Sequence, residues 1–270
     1  MMSAVICLLG IVVGSLPPPE LRVYVLDGGH AVLKSSNLLN DIDEPTGGPL
    51  ELADPCFLIK HGRQWLLWDT GLPDSLVGHP SSSPLIDLDK QRTMTSQLRQ
   101  FGVEPKQIDF LAFSHMHFDH TGTANLFTSS TWILQRSELS YSLSQPAPFS
   151  VVPASFSAYR QSKKLEITGD YDVFGDGSVK ILLTPGHTPG HQCLFLRLAH
   201  AGPIVLSGDL FHQRASFEKN WVPAINENRA ETLASMARIR AFLNNTAARL
   251  IIQHDPKDFK SLPKPPTFLD

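Results

Sequence analysis

The sequence has few cysteines and no excess of positive charge. Its 270 residues carry a formal net charge of −3, so the chain lacks the basic surface that a nucleic-acid partner would need. Its three cysteines are too few and too scattered for a disulfide framework or a cysteine-rich zinc module. They are Cys7, Cys56 and Cys193. We therefore expect neither a nucleic-acid partner nor a disulfide-stapled fold.

The hydrophobic run near the N-terminus is short. AVICLLGIVV, at residues 4–13, cannot span a bilayer as a helix, so no stable membrane insertion is expected. Gly14 and Ser15 follow it and are small enough to precede a cleavage site, but residues 1–3 include no Lys or Arg. Two interpretations of residues 1–20 stay open. They are a signal segment, which makes the protein periplasmic or secreted, or a buried or disordered extension of a cytoplasmic protein.

The rest of the chain has an ordinary globular composition, with 42% hydrophobic and 18% charged residues. Short apolar runs alternate with helical and turn segments, and no interior linker divides them. We predict one α/β domain over residues 21–270, with helices outside packed sheets. The predicted strands are residues 21–27, 56–71 (a hairpin turning at His61 and Gly62), 109–113, 130–135, 178–186, 191–198, 203–209 and 248–255, and the predicted helices are 87–103 and 231–245.

Histidine is the unusual component, with eleven in the chain. The segment FSHMHFDHTG, residues 113–122, places His115, His117, Asp119 and His120 within six positions. Such a cluster suits neither a core, where each polar ring needs a partner, nor an ordinary surface, where nothing requires the spacing. A strand that ends here would present His115 and His117 on one face, because side chains two apart point the same way. The cluster therefore indicates metal ligation.

Further ligand types follow later strands. His187 comes after VKILL in the TPGHTPGH turn, Asp209 comes after PIV in LSGD, and His254 lies in IIQHD. Two metal ions roughly 3.5–4 Å apart need about three or four protein ligands each. The seven residues together are enough for two ions and too many for one.

These motifs carry a resemblance to a known family. HxHxDH, a TPGHTPGH turn, an SGD and a late HD resemble the metallo-β-lactamase superfamily, and the chain is most similar to its N-acyl homoserine lactonases, which quench bacterial quorum signalling. The resemblance runs from FLIKHGRQWLLWDTGLP to IIQHD and includes ILQRSEL and GDYDVFGDGSVKILLTPGHTPGHQ. It implies an αββα sandwich with a dinuclear zinc site at one edge of the two sheets. It also implies His115, His117 and His187 on one zinc, Asp119, His120 and His254 on the other, and Asp209 bridging them.

Other polar residues near these motifs are assigned supporting roles. His191, four residues after His187, is expected to support the turn or the ligands rather than to bind metal. Asp69 in WDTG either hydrogen-bonds a ligand imidazole, the interpretation favoured here, or caps a turn. The remaining histidines considered are expected to be structural, namely His30, His61, His79 and His200.

One position departs from the resemblance. The lactonases commonly place a tyrosine three residues after the bridging aspartate, pointing at the substrate carbonyl, whereas this chain reads GDLFH and has His212 there. The same run resembles the methyl parathion hydrolases of the superfamily, which hydrolyse organophosphates. We expect His212 to donate a hydrogen bond to a carbonyl or phosphoryl oxygen.

The resemblance implies a hydrolase that opens the lactone ring of N-acyl homoserine lactones. Asp119 is the candidate to carry a proton to the leaving alkoxide, and Phe118, Trp221 and the aromatic stretch 141–159 are candidates to line a groove for the acyl chain. The Ser-, Pro- and aromatic-rich segment 137–160 is equally consistent with a floppy surface loop and with a lid or an oligomer contact. A homodimer therefore stays open.

Several rival functions share the fold. A phosphotriesterase is favoured by GDLFH. A thioesterase of the glyoxalase II type would use the same ligands but would be expected to add basic residues for the glutathione carboxylates, and it is not favoured. A β-lactamase typically lacks the bridging aspartate. A non-catalytic binding module is disfavoured by the intact ligand set.

Overall fold

The computed structural model describes residues 20–42 and 47–270, which form two β-sheets packed face to face. The predicted N-terminal signal or extension falls almost wholly on residues 1–19, outside the described ranges. Within those ranges, no helix combines the length and the apolar character that crossing a bilayer requires.

The strands and helices alternate along the chain as an α/β order. The strands are β1 (Leu21–Leu33), β2 (Leu50–His61), β3 (Gln64–Trp68), β4 (Ser81–Ser82), β5 (Ile86–Asp89), β6 (Phe110–Ala112), β7 (Thr131–Gln135), β8 (Lys163–Ile167), β9 (Tyr171–Asp172), β10 (Val179–Leu183), β11 (Gln192–Arg197), β12 (Pro203–Leu206) and β13 (Arg249–Ile251). The α-helices are α1 (Met94–Leu98), α2 (Phe118–Thr121), α3 (Arg136–Ser142), α4 (Arg214–Lys219), α5 (Arg229–Thr246) and α6 (Pro256–Ser261).

The two sheets have separate strand orders and share one core. The first runs β4-β5-β1-β2-β3-β6-β7-β8 and the second β13-β12-β11-β10-β9. Alternation along β2 sends Phe57 and Ile59 into the core between the sheets, whereas Cys56 and Leu58 face the outer side of the first sheet. Helix α5 covers the outer side of the second sheet through Met236 and other apolar residues. The predicted αββα sandwich is therefore confirmed.

The predicted helix over residues 87–103 is wrong in its first part. Residues 86–89 form strand β5, which pairs antiparallel with residues 30–33 of β1. Ile86 and Leu88 alternate and pack on a small cluster around Leu39, so the period is two rather than three to four. The helix itself is α1, which Thr93 caps. The β2–β3 hairpin forms as predicted, although its turn lies one residue later, at 62–63.

Strand pairing brings the ends that carry polar residues to one edge. In the parallel pair β12–β13, Leu206 lies opposite Ile251, and Asp209 and His254 each follow three residues later. In the parallel pair β3–β6, residues 68 and 112 are opposite, so Asp69 and the histidine-rich loop emerge side by side. The strand register therefore brings these polar residues to the same edge of the sheets.

The aromatic segment 137–160 is largely folded rather than a floppy surface loop. It contains most of α3 and a 3-10 helix over Pro153–Arg160. Phe156 is fully buried in the outer core of the first sheet, and Tyr141 and Tyr159 pack against that core. Phe149 is the exception, because 64% of it is exposed.

Candidate metal centre

The structure brings all seven predicted ligands together at the shared edge. His115 and His117 lie in the loop after β6, and Asp119 and His120 lie in α2 directly after it. Within the described part of the chain, these residues form two groups, and inside each group the candidate ligand atoms all lie within 4.8 Å of one another. The first group is His115, His117, His187 and Asp209, and the second is Asp119, His120 and His254.

The three imidazoles of the first group aim nitrogen atoms at one point. His117 Nδ1 lies 2.8 Å from His115 Nε2 and 3.2 Å from His187 Nε2. Burial lowers the pKa of His117 to about 4 and holds the pKa values of His115 and His187 well below their usual range. The three rings are therefore neutral and point nitrogen lone pairs at one another. A divalent ion requires neutral imidazoles of this kind as ligands.

Asp209 lies between the two groups and faces each with one oxygen. Its Oδ2 is 3.4 Å from His187 Nε2, and its Oδ1 is 2.9 Å from His254 Nε2. The carboxylate is buried, and Oδ1 has no hydrogen-bond partner that meets normal geometry. The bridging role of Asp209 stays a prediction, and it requires an anion that faces both groups, as this carboxylate does.

The second group holds its rings by hydrogen bonds on the far nitrogen. His254 Nδ1 donates to the Ala53 carbonyl at 2.7 Å, which directs Nε2 toward Asp209. Burial opposes a charge on His254, but Asp209 outweighs it and raises the pKa of His254 to about 9. His120 Nε2 is buried without a partner. Asp119 Oδ2 lies 3.9 Å from the Nε2 atoms of both histidines.

Asp69 contacts a ligand imidazole, as the favoured interpretation predicts. Its Oδ2 lies 3.1 Å from His120 Nδ1, and its Oδ1 accepts the Ser114 N–H at 2.7 Å. The Gln253 amide also donates to Oδ2 at 2.9 Å. Asp69 therefore fixes the orientation of the His120 ring.

His191 supports the turn that carries Asp209. Its Nε2 accepts the Asp209 N–H at 2.9 Å, and its Nδ1 lies 2.9 Å from Thr184 Oγ1. Gly208 has a φ of +50° at this point, and a Cβ there would come within 2.6 Å of His191 Nε2. The glycine of SGD therefore lets the turn close on the ring. His191 belongs to neither ligand group.

The two loops that carry the first group meet on Glu138, whose role the sequence did not suggest. Glu138 Oε1 accepts the Met116 N–H at 2.8 Å, and Oε2 accepts the Thr188 hydroxyl at 2.7 Å and the Gly190 N–H at 2.9 Å. Burial raises the pKa of Glu138 to about 6. A Cβ at Gly190 would collide with Glu138. The carboxylate thus joins the loop containing His117 to the turn containing His187.

Asp54, which the sequence also did not single out, lies buried beside the second group. Both of its carboxylate oxygens lack a hydrogen-bond partner. Burial raises the pKa of Asp54 to about 7, partly offset by His120 and His254. The only signal in the sequence is an aspartate between Ala53 and Pro55.

His212 lies at the metal centre without joining either ligand group. Its Nε2 is 3.0 Å from Asp209 Oδ2, and its ring stacks on His254 at a centroid distance of 5.7 Å. Nδ1 is buried and has no partner. The His212 ring also lines the cavity beside the metal centre.

A cavity of about 130 Å³ opens beside the metal centre. Phe118 lines it as predicted, together with His212 and Phe149. Trp221 does not line it; its ring is buried and has the Lys219 ammonium 4.5 Å from its centroid. One wall consists of aliphatic side chains that sequence reasoning missed, namely Leu33, Leu38, Leu39, Leu52, Leu85 and Ile86.

The histidines expected to be structural lie outside both ligand groups. His61 Nε2 lies 2.8 Å from Asp176 Oδ2, and its ring stacks on Phe174 at 4.0 Å. His200 Nδ1 lies 3.2 Å from Asp270. His30 and His79 are exposed.

The fold and the two ligand groups define a metal-binding α/β sandwich with its site at the sheet edge. The chain matches the metallo-beta-lactamase superfamily over residues 52–254 and belongs to that superfamily. The predicted resemblance is therefore confirmed.

Curated relatives and solved structures extend the match over nearly the whole chain. The N-acyl homoserine lactonase AttM of Rhizobium radiobacter is 29% identical, over 92% of this chain and 98% of the relative. The N-acyl homoserine lactonase AiiA of Bacillus thuringiensis subsp. kurstaki is 28% identical, over 89% and 95%. The structure of a quorum-quenching N-acyl homoserine lactone hydrolase aligns with a TM-score of 0.80 and 27% identity, over 92% and 97%. An AiiA variant from B. thuringiensis with N-decanoyl-L-homoserine at its active site aligns with a TM-score of 0.80 and 25% identity, over 92% and 98%.

Proposed function

We propose that this protein is a metal-dependent hydrolase that opens the lactone ring of N-acyl homoserine lactones at a dinuclear zinc site. The observation that carries the proposal is the position of Asp209. One of its carboxylate oxygens faces His187 of the first group, and the other faces His254 of the second group. The relatives named as lactonases, which match over nearly their full length, support the choice of substrate.

The reaction adds water across the ester bond of the ring. When bound, two zinc ions supply a nucleophile from water at neutral pH and withdraw charge from the carbonyl oxygen. The water oxygen bonds to the carbonyl carbon, the ring C–O bond breaks, and the leaving oxygen takes a proton to become a hydroxyl group. The product is an acyl homoserine with a free carboxylate.

We assign the proton transfer to Asp119. It is the carboxylate of the two groups that reaches the cavity most freely, with 24% of its side chain exposed against 5% for Asp209. Both line the cavity. Asp119 therefore takes a proton from water and delivers it to the leaving alkoxide, while Asp209 stays a fixed anion between the groups.

His212 takes the role that a tyrosine commonly has in the lactonases that the sequence resembles. Its ring lines the cavity beside Asp209, and a ring N–H can donate to the carbonyl oxygen as negative charge develops there. Removing one such donor typically costs a factor of about 10² to 10³ in rate.

A phosphotriesterase is the second candidate, and the same His212 favours it because a phosphoryl oxygen accepts the same hydrogen bond. A thioesterase acting on glutathione conjugates is disfavoured, since no Lys or Arg from the described residues lines the cavity.

The proposal is tested by comparing rates of zinc-loaded protein with N-hexanoyl-L-homoserine lactone and with paraoxon. We expect the lactone to be hydrolysed with the higher kcat/KM. His212→Ala should lower lactone turnover by about ten- to a thousandfold at unchanged metal content, and His212→Tyr should recover part of it. His79→Ala, at an exposed histidine outside the site, is the matched control. Faster paraoxon hydrolysis would favour the phosphotriesterase, and loss of a metal in His212→Ala would make His212 a ligand.

A further inference from the structure

Asp54 is a buried carboxylate without a hydrogen-bond partner of its own. The residue is 4% exposed, and neither of its carboxylate oxygens accepts a hydrogen bond. An ionised group buried in this way destabilises a fold unless a cation balances it. An asparagine or an aliphatic residue at this position would avoid most of that cost. The charge of Asp54 therefore requires a nearby cation.

The backbone fixes Asp54 beside the second ligand group. The peptide that joins Ala53 to Asp54 has the carbonyl that accepts the His254 ring N–H at 2.7 Å, and the Ala53 N–H donates to the His254 carbonyl at 3.1 Å. On the neighbouring strand, a Cβ at Gly28 would come within 2.3 Å of the Asp54 carbonyl oxygen and within 2.9 Å of Gly71 Cα. A shift of Asp54 would therefore disturb the peptide that holds His254 and the backbone packed against it.

The buried lysine near Asp54 is committed to other groups. Lys90 is 1% exposed, and its positive charge acts on Asp54. Its ammonium group donates to the Leu72 carbonyl and forms an ion pair with Asp74 at 3.0 Å. Lys90 therefore balances the charge of Asp74 and leaves the charge of Asp54 without a partner.

Four carboxylates at the metal centre have no lysine or arginine within ion-pair distance among the described residues, and they are Asp54, Asp69, Asp119 and Asp209. Their four negative charges equal the positive charge of two divalent ions. In the metal-free protein, burial raises the pKa of Asp54 to about 7 even though the histidines of the second group offset part of the cost. Without Asp54, three carboxylates would face two divalent ions.

We propose that Asp54 is an electrostatic supporting residue of the metal centre, whose buried charge destabilises the metal-free fold and strengthens the binding of two divalent ions. The proposal rests on the dinuclear site of the proposed function and assigns the charge that balances it. Asp54 acts through the field of its carboxylate and not as a ligand, since it belongs to neither ligand group. Removing a group that supports metal ligands typically costs about 10- to 100-fold in metal affinity.

The test compares the wild type with Asp54→Asn, which keeps the shape and removes the charge. Zinc affinity is measured by competition with a chromophoric chelator, and the thermal midpoint of unfolding is measured in the metal-free protein, both at pH 8, above the pKa of Asp54 of about 7. We expect overall zinc affinity to fall by about 10- to 100-fold and the metal-free midpoint to rise by about 2 °C or more. Asp54→Val, which also removes the polar group, should change both quantities in the same directions.

The opposite signs of the two changes distinguish this role from a purely structural one, because a variant that packs badly is less stable with or without metal. Asp176→Asn is the matched control. Burial opposes the charge of Asp176, but hydrogen bonds from Ser178 and His61 lower the pKa of Asp176 to about 2. Loss of that carboxylate should lower the metal-free midpoint and leave zinc affinity within about twofold.

An unchanged zinc affinity in Asp54→Asn, or a metal-free midpoint that falls together with zinc affinity, would overturn the proposal and leave the lactonase function in place. Loss of a whole zinc ion would also overturn it, because Asp54 would then be a ligand. If two zinc ions bind and no lactone is hydrolysed, but Asp54→Asn still weakens zinc binding and raises the metal-free midpoint, the role of Asp54 stands and the lactonase function falls. A wild type that binds fewer than two ions would overturn both.

Discussion

Replacing Glu138 with glutamine tests how the two histidine-bearing loops are held together. The wild-type carboxylate accepts three hydrogen bonds, from the Met116 N–H, the Thr188 hydroxyl and the Gly190 N–H. Its pKa of about 6 leaves it ionised at neutral pH. Glutamine keeps the shape but turns one acceptor into an N–H₂ donor.

The size of the effect follows from which donors lose their partner. If the amide oxygen stays on Met116, the N–H₂ faces Thr188 and Gly190. The Thr188 hydroxyl can rotate and accept, whereas the Gly190 N–H cannot and becomes a buried donor without a partner. Such a group costs about 1–3 kcal/mol. If this cost destabilises the metal-bound protein by about 2 kcal/mol relative to the metal-free protein, the metal ion of the first group is bound roughly thirtyfold more weakly.

The assay is calorimetric titration of the metal-free protein with zinc, together with the thermal midpoint. We expect Glu138→Gln to weaken metal binding by the first group and to leave binding by the second group nearly unchanged, because Glu138 joins the loop of His117 to the turn of His187. Glu166→Gln is the control, since Glu166 lies at the surface, 3.5 Å from Arg136. Two binding steps at wild-type strength in Glu138→Gln would refute this role.

Two further predictions concern the second ligand group and the Asp209 turn. The pKa of His254 is about 9 in the metal-free protein and that of His117 is about 4, so protons compete with metal for the second group only. Burial opposes a charge on His120, but Asp209 and Asp69 raise the pKa of His120 well above its usual range, so both histidines of the second group must lose a proton before metal binds. Metal affinity of the second group should therefore fall by about tenfold or more for each pH unit below about pH 9, and proton release should make the binding enthalpy depend on the buffer. Equal pH dependence of both binding steps would contradict this. Gly208→Ala places a Cβ within 2.6 Å of His191 Nε2 and strains a backbone with a φ of +50°, so we expect the free energy of unfolding in urea to fall by about 1–3 kcal/mol. Gly78→Ala is the control, because Gly78 also has a positive φ but lies in open space, and it should cost less. Equal losses in the two variants would contradict the contact with His191.

The gathering of the seven candidate ligands at one edge could be predicted because its signals are local. His115, His117, Asp119 and His120 are neighbours in sequence, and the remaining ligands each follow an apolar strand. The strand register then brings residues such as Asp209 and His254 to the same level, because each lies three residues beyond a paired position. Ligand chemistry and strand ends are both visible in a sequence.

The cavity and the Glu138 contacts could not be predicted, because they depend on pairings between distant segments. Leu85 and Ile86 reach the site only because β5 pairs with the end of β1, and the sequence there reads equally well as a helix. A glutamate in the first turn of a helix is usually exposed, so burial of Glu138 under two loops has no local signal. Trp221 is predicted to line the groove for the acyl chain, but its ring packs outside the cavity against Lys219.

The most direct test of the central claim is the metal content of the wild-type protein and of Asp209→Asn, measured by elemental analysis after zinc loading. A neutral amide cannot offset two cations as the carboxylate does, so the wild type should hold about two zinc ions per chain. The variant should hold about one, with turnover lower by about a hundredfold or more. One ion or none in the wild type, or two ions and near-normal turnover in Asp209→Asn, would contradict a dinuclear centre bridged by Asp209.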